Sequence, residues 1–181
     1  MRVRRVVTGH DEDGRAVVVS DAPAPRSHEY QHVPGMGTAI VWATRAGADP
    51  APDQPGQIPA PGGSSFVIVR FPPDTVYAAP GFDGAAADAE QRSVIPDLAE
   101  LFEPDAPGMH VTPTADYVIV LTGRIWLELD DGVLVELAAG DTVVQNGTRH
   151  AWRNLGDREA TLGVVMINKI REGEPCTRPT Y

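Results

Sequence analysis

From residue 117 onward the chain alternates short apolar runs with turn dipeptides at nearly constant spacing, and few folds accept that pattern. Residues 117–121, 124–130, 133–137, 142–145, 150–154 and 161–170 read as strands. Thr122-Gly123, Asp131-Gly132, Gly140-Asp141, Asn146-Gly147 and Gly156-Asp157 punctuate them. Short strands with such regular turns specify an antiparallel barrel or sandwich. Upstream, residues 3–8 and 15–20 are two further β-rich runs, and Asp11-Glu12-Asp13-Gly14 between them suits a hairpin turn. Residues 38–44 and 65–71 add two more strands, separated by a Gly, Pro, Ala and Asp loop over 46–65. Helices are expected only at 85–93 and 96–102, the second opened by Pro96 with Asp97 in its first turn.

Bulk properties narrow the function classes. At 181 residues there is room for one domain with a real core. A formal net charge of −10 argues against nucleic acid, whose phosphates select Lys and Arg patches. The basic cluster Arg2, Arg4 and Arg5 is soon followed by the acidic run at 11–13. No apolar run resembles a signal peptide or approaches a membrane span, so a soluble, cytoplasmic protein without membrane contact is expected. A single cysteine, Cys176, excludes an internal disulfide and a cysteine-based zinc cluster, and its Pro-rich surroundings offer no activating partner.

His28-Glu29-Tyr30-Gln31-His32 spells the H-E-x-x-H pattern of zinc proteases. That pattern works only on a helix that brings both histidines to one face. Pro23, Pro25, Pro34 and Gly35 crowd the segment, so the match is read as coincidence.

Two later segments carry more chemistry: Gly108-Met-His110-Val-Thr112-Pro-Thr-Ala-Asp116 and Gln145-Asn-Gly147-Thr-Arg-His150-Ala-Trp152-Arg-Asn154. Side chains alternate along a strand, so His110, Thr112, Thr114, Asp116, Val118 and Val120 are expected on one face, with Val111, Tyr117, Ile119 and Leu121 on the other. Pro113 cannot donate to a ladder and implies an edge or a bulge. His150, Trp152 and Asn154 share a face of their own strand. If both faces point into one barrel, His110, Asp116 and His150 converge as a set suited to Fe, Mn, Ni or Zn, with positions left open for substrate. Trp152 is either a wall against which a substrate stacks or part of the core, and Trp126 is core. Gln145 either offers its amide to a bound carbonyl or faces solvent at a strand end.

At these residues the chain resembles the cupin superfamily, whose first motif is G-x5-H-x-H-x3,4-E-x6-G and whose second is G-x5-P-x-G-x2-H-x3-N. His110 fits the first histidine, Thr112 falls at the second, Asp116 at the glutamate and Gly123 at the closing glycine. Gly147, His150 and Asn154 keep the spacing of the second motif, with Gln145 at the proline position. The resemblance covers residues 109–170. It implies an all-β, antiparallel jelly-roll barrel over 65–171, preceded by a β-rich extension and Pro/Gly loop at 1–64, carrying one or two short helices, and followed by a tail at 172–181.

It further implies a homodimer, with Trp42 covering a neighbour's barrel, and a small-molecule enzyme that uses a divalent metal on an enolisable carbonyl compound as an oxygenase, decarboxylase, cyclase or dehydratase. His110, Asp116 and His150 are the expected ligands, His150 and Asp116 the catalytic groups, and Thr112, Gln145 and Trp152 the substrate contacts. Threonine replaces imidazole poorly, which leaves two other readings open: a metal-free acid–base lyase or isomerase, and a non-catalytic ligand-binding or sensor module.

Overall fold

A computed structural model describes residues 1–45 and 56–169. Cys176, the tail, and most of the Pro/Gly loop therefore lie outside the described residues. Eleven strands and two short helices follow one another as β1 (Arg4–His10), β2 (Ala16–Pro23), β3 (Arg26–Glu29), β4 (Gly37–Thr44), β5 (Ser64–Phe71), α1 (Gly84–Val94), α2 (Pro96–Ala99), β6 (Ala115–Thr122), β7 (Arg124–Glu128), β8 (Leu134–Ala138), β9 (Thr142–Gln145), β10 (Ala151–Arg153) and β11 (Ala160–Ile167). No helix among the described residues is long and apolar enough to cross a membrane.

The strands form an antiparallel jelly roll. A six-stranded sheet in the order β3-β4-β5-β11-β6-β9 faces a three-stranded sheet, β10-β7-β8. Val118, Val120, Ile125, Leu127, Leu137 and Leu162 fill the space between them, all buried. They come from β6, β7, β8 and β11, so alternate residues of both sheets make one core, as stacked sheets require. A second cluster, including Tyr30, Met36, Ile40, Val67 and Ala87, packs α1 and the 30–36 turn against β4 and β5. The Asp83 side chain caps α1 by accepting the Ala86 N–H at 3.0 Å, and Pro96 opens α2.

β1 and β2 form the expected hairpin, as a separate two-stranded ribbon. Its root, Met1, Val3 and Ala24, packs on Ala39 and Ile68 at the outer face of the large sheet. Trp42 lies beneath its own chain's ribbon, with the Arg5 guanidinium 5.4 Å from the ring. β3, hidden in the sequence by its flanking prolines, pairs with β4 at the sheet's edge. It carries His28 and Glu29, so the H-E-x-x-H segment is strand and turn and holds no helix. His28 instead meets Glu90 of α1 at 2.8 Å.

Asn154, the last residue of the second motif, is a structural clamp. Its side chain is almost wholly buried and donates to the Phe71 and Arg158 carbonyls at 3.1 and 2.8 Å, while its Oδ1 accepts the Gly156 N–H. Asn154→Ala strands all three backbone groups. We expect a cost of roughly 3 kcal/mol, read as a fall in Tm of roughly 6–12 °C. A shift within 2 °C in calorimetry would show that the clamp contributes nothing.

Candidate functional site

The predicted alternation holds along the whole first segment: His110, Thr112, Thr114, Asp116, Val118 and Val120 are all buried, while Tyr117, Ile119 and Leu121 are exposed. The buried face looks into the barrel. Yet the segment is regular strand only from Ala115 onward. Pro113 interrupts the ladder, and His110 pairs outside it through an isolated bridge to His150. Each of these histidines donates its backbone N–H to the other's carbonyl at 3.0 Å.

That bridge brings the two imidazoles together, with ring centroids 4.4 Å apart and ring planes tilted by 45°. The Nδ1 of His110 lies 3.0 Å from the Gly108 carbonyl, and the Nδ1 of His150 lies 3.0 Å from the Thr148 carbonyl. A carbonyl only accepts, so both Nδ1 atoms carry the proton and both Nε2 atoms present a lone pair. Burial lowers the pKa of both rings. For His150, burial and then the neighbouring His110 bring it down to about 4. Aromatic edges flank the pair: Phe102 lies 5.1 Å from the His110 ring and Trp152 lies 6.0 Å from that of His150.

Asp116 lies on β6, directly opposite Gln145 on β9 and Met166 on β11. It is 4% exposed, and its Oδ1 has no hydrogen-bond partner. Burial raises its pKa to about 6, and the Thr114 and Thr112 hydroxyls offset only part of that. Thr114 donates to Thr112 at 2.9 Å, leaving the Thr112 proton free for another acceptor. Gln145 is buried and does not face solvent. Its Oε1 accepts the Thr148 hydroxyl at 2.9 Å, and the Thr148 carbonyl in turn holds His150, so Gln145, the cross-strand neighbour of Asp116, connects to the histidine pair through Thr148.

Among the described residues no group of three or more His, Cys, Asp and Glu side chains could hold a metal ion. His110 and His150 are oriented as ligands are, through Nδ1, which fits two positions of a metal. Asp116 lies on β6, beyond the isolated bridge that pairs the two histidines. Trp152 serves two purposes: it packs against the core between the sheets and turns its edge to His150.

Sequence reasoning missed three contributors. Phe102 follows α2 and caps His110. Glu103 takes both ends of the Arg149 guanidinium at 2.7 Å, and Arg149 also reaches Asp130 at 2.9 Å. This pins the loop that carries Phe102 beside His150. None of these contacts has a local signal, because Glu103 and Arg149 are 46 positions apart.

A family model described as a cupin domain matches residues 100–167. The chain is 27% identical over 153 residues to oryzines biosynthesis cluster protein J of Aspergillus oryzae, covering 84% of this chain and 75% of that protein. It is 52% identical over 67 residues to phomopsin biosynthesis cluster protein C' of Diaporthe leptostromiformis, which is 37% of this chain and only 34% of that protein's length. Among solved structures, the Cnp3 cupin domain of Schizosaccharomyces pombe aligns with a TM-score of 0.45 at 10% identity, covering 93% of this chain and 84% of that one. A cupin domain from Bordetella pertussis aligns with a TM-score of 0.37 at 20% identity, covering 64% and 96%.

Proposed function

Residues 100–167 form a cupin domain and place the chain in the cupin superfamily; from that premise we propose that it is a small-molecule enzyme moving protons on an enolisable hydroxy-carbonyl compound, as an isomerase or lyase. The carrying observation is the pairing of two neutral imidazoles, each with Nε2 free to accept, with a buried carboxyl whose pKa lies near neutrality. Asp116 is the general base. A group with a pKa of about 6 is ionised at neutral pH and still takes a carbon-bound proton effectively. His110 and His150 accept hydrogen bonds from substrate hydroxyls, with His150 relaying the proton. The Thr112 hydroxyl, which also reaches Asp116, and the amide of Gln145 orient the carbonyl end. Phe102 and Trp152 close the sides of the histidine pair. Similarity to proteins of two fungal biosynthesis clusters supports a small organic substrate.

The alternative reading, a divalent metal on His110 and His150, draws on the Nδ1-anchored tautomers. The third, a non-catalytic sensor, needs binding without chemistry. One experiment separates them: turnover of a panel of hydroxy-carbonyl compounds, followed by mass spectrometry, alongside metal analysis of protein prepared without chelator. The proton-transfer reading expects turnover that survives chelation, rises with pH through about 6 and falls at least roughly 100-fold in Asp116→Asn. Stoichiometric Fe, Mn, Ni or Zn that disappears in both His110→Ala and His150→Ala overturns it in favour of the metal. Binding without turnover favours the sensor.

A further inference from the structure

The groups assigned to the chemistry are shut away from solvent. His110, His150, Asp116, Thr112 and Gln145 are 8, 3, 4, 2 and 4% exposed. A compound that hydrogen-bonds to both imidazoles therefore enters only through a movement of the chain. Much of the surrounding wall is sheet. β6, which carries Asp116, is bonded to β11 on one side and to β9 on the other, and β10 beside His150 is bonded to β7. Parting any of these breaks a ladder of hydrogen bonds.

The side at Phe102 is built differently. Residues 100–107 contain no buried residue, whereas the feet of this stretch, Leu98 and Ala99 before it and Met109 and His110 after it, are all buried. The first foot is tied down by Asp97, whose Oδ2 accepts the Ile58 N–H at 2.6 Å. The stretch bonds mostly to its own neighbourhood: Leu101 N–H to the Leu98 carbonyl, Glu103 N–H to that of Met109, and Met109 N–H to that of Ala106. None of these three bonds reaches a strand. A compact loop on anchored ends opens locally far more easily than a sheet.

Glu103 is gripped by Arg149 through both carboxylate oxygens at 2.7 Å, and Asp130 braces Arg149 from the other side at 2.9 Å. The Arg149 and Glu103 side chains stay 26 and 36% exposed, so water solvates both charges as the pair parts. Phe102, the residue before Glu103, lays its ring edge 5.1 Å from the His110 ring.

We propose that residues 100–107 are a lid over the histidine pair, latched shut by Glu103 on Arg149, and that substrate reaches His110 when the latch parts and Phe102 swings out. What enters is the hydroxy-carbonyl compound of the proposed function, on which this inference rests for its substrate alone. Arg149 lies between His150 and Thr148, whose carbonyl orients the His150 ring. Closing therefore sets Phe102 against one imidazole, steadies the turn that orients the other, and keeps water from both.

The movement is read without turnover. Diethyl pyrocarbonate acylates accessible imidazoles, and peptide mass spectrometry on the full chain resolves His110 and His150 from the exposed His10. In the wild type both buried histidines are expected to label at least roughly tenfold more slowly than His10. Glu103→Gln, which removes the charge of the latch, and Phe102→Ala, which removes the cover, are each expected to speed His110 labelling by roughly three- to tenfold. In Glu103→Gln, hydrogen exchange quickens across 100–107 and is unchanged in β6 and β11. A wild type whose His110 labels as fast as His10, unchanged labelling in either variant, or exchange that quickens equally in β11 overturns the lid. Failure of the proton-transfer reading shows in turnover and leaves these readouts as they are, so the two fail separately.

Discussion

Asp116→Asn raises the thermal midpoint at pH 8 and leaves it unchanged at pH 4. A carboxyl whose pKa climbs from 3.8 unfolded to about 6 folded favours the protonated form in the fold. Its contribution is fully present below pH 3.8 and is lost as pH rises through about 6. At pH 8 the ionised, 4% exposed side chain costs the fold about 3 kcal/mol, since the shift is about two units. Asparagine removes the charge and keeps the shape, so Tm rises by roughly 6–12 °C. The same substitution removes the proposed base, so a stabler and inactive protein is the signature of a site that stores strain for function.

The variant also exposes the opposite dependence of His150. Its pKa falls from 6.5 unfolded to about 4 folded, so its contribution is present above pH 6.5 and lost as pH drops towards 4. In the wild type the two slopes partly cancel between pH 4 and 6.5. In Asp116→Asn only the histidine slope remains, and stability climbs with pH across that window. Urea unfolding from pH 4 to 8 reads both effects. A variant no more stable than wild type at pH 8 would show that the buried carboxylate is compensated, and the proton-transfer reading would lose its base.

Gly123→Ala is expected to unfold a large fraction of the protein. The residue turns the chain between β6 and β7 at φ +78°, a conformation that costs any side chain. A Cβ there lies 2.6 Å from the Glu159 carbonyl oxygen and 2.9 Å from the Ala160 Cα. Both are backbone atoms at the start of β11, the central strand of the large sheet, and neither can swing aside. Left-handed strain and overpacking together cost about 4 kcal/mol or more. We expect Tm to fall by roughly 10 °C or more. Gly132→Ala is the control, because nothing stands within 4 Å of its Cβ position and only the φ penalty applies. Equal losses at the two glycines would show that the close approach to β11 carries no weight.

Much of this molecule is legible in the order of its residues. Alternation along 110–120 predicts which side chains turn inward, because a strand has period two and one face of this sheet must be buried. The turn dipeptides locate the hairpins for the same local reason: Asp131 and Gly132 both adopt positive φ, as a tight turn between β7 and β8 demands. Gly123, His150 and Asn154 are recognisable through their resemblance to the two cupin motifs.

Tertiary structure decided the rest, where distance along the chain and distance in space part company. Pro113 interrupts the strand between His110 and Asp116, so His110 meets His150 through an isolated bridge while Asp116 lies in the β6 ladder. β3 lies between prolines that mask it, and only its pairing with β4 makes it a strand. Phe102 reaches His110 because Arg149 grips Glu103 from 46 residues away. Tyr117, Ile119 and Leu121 read as a second apolar face, and only the folded sheet shows that they stay exposed among the described residues. Backbone periodicity is a local property and survives in the sequence; the convergence of side chains depends on register and packing, which arise only when the two sheets close on each other.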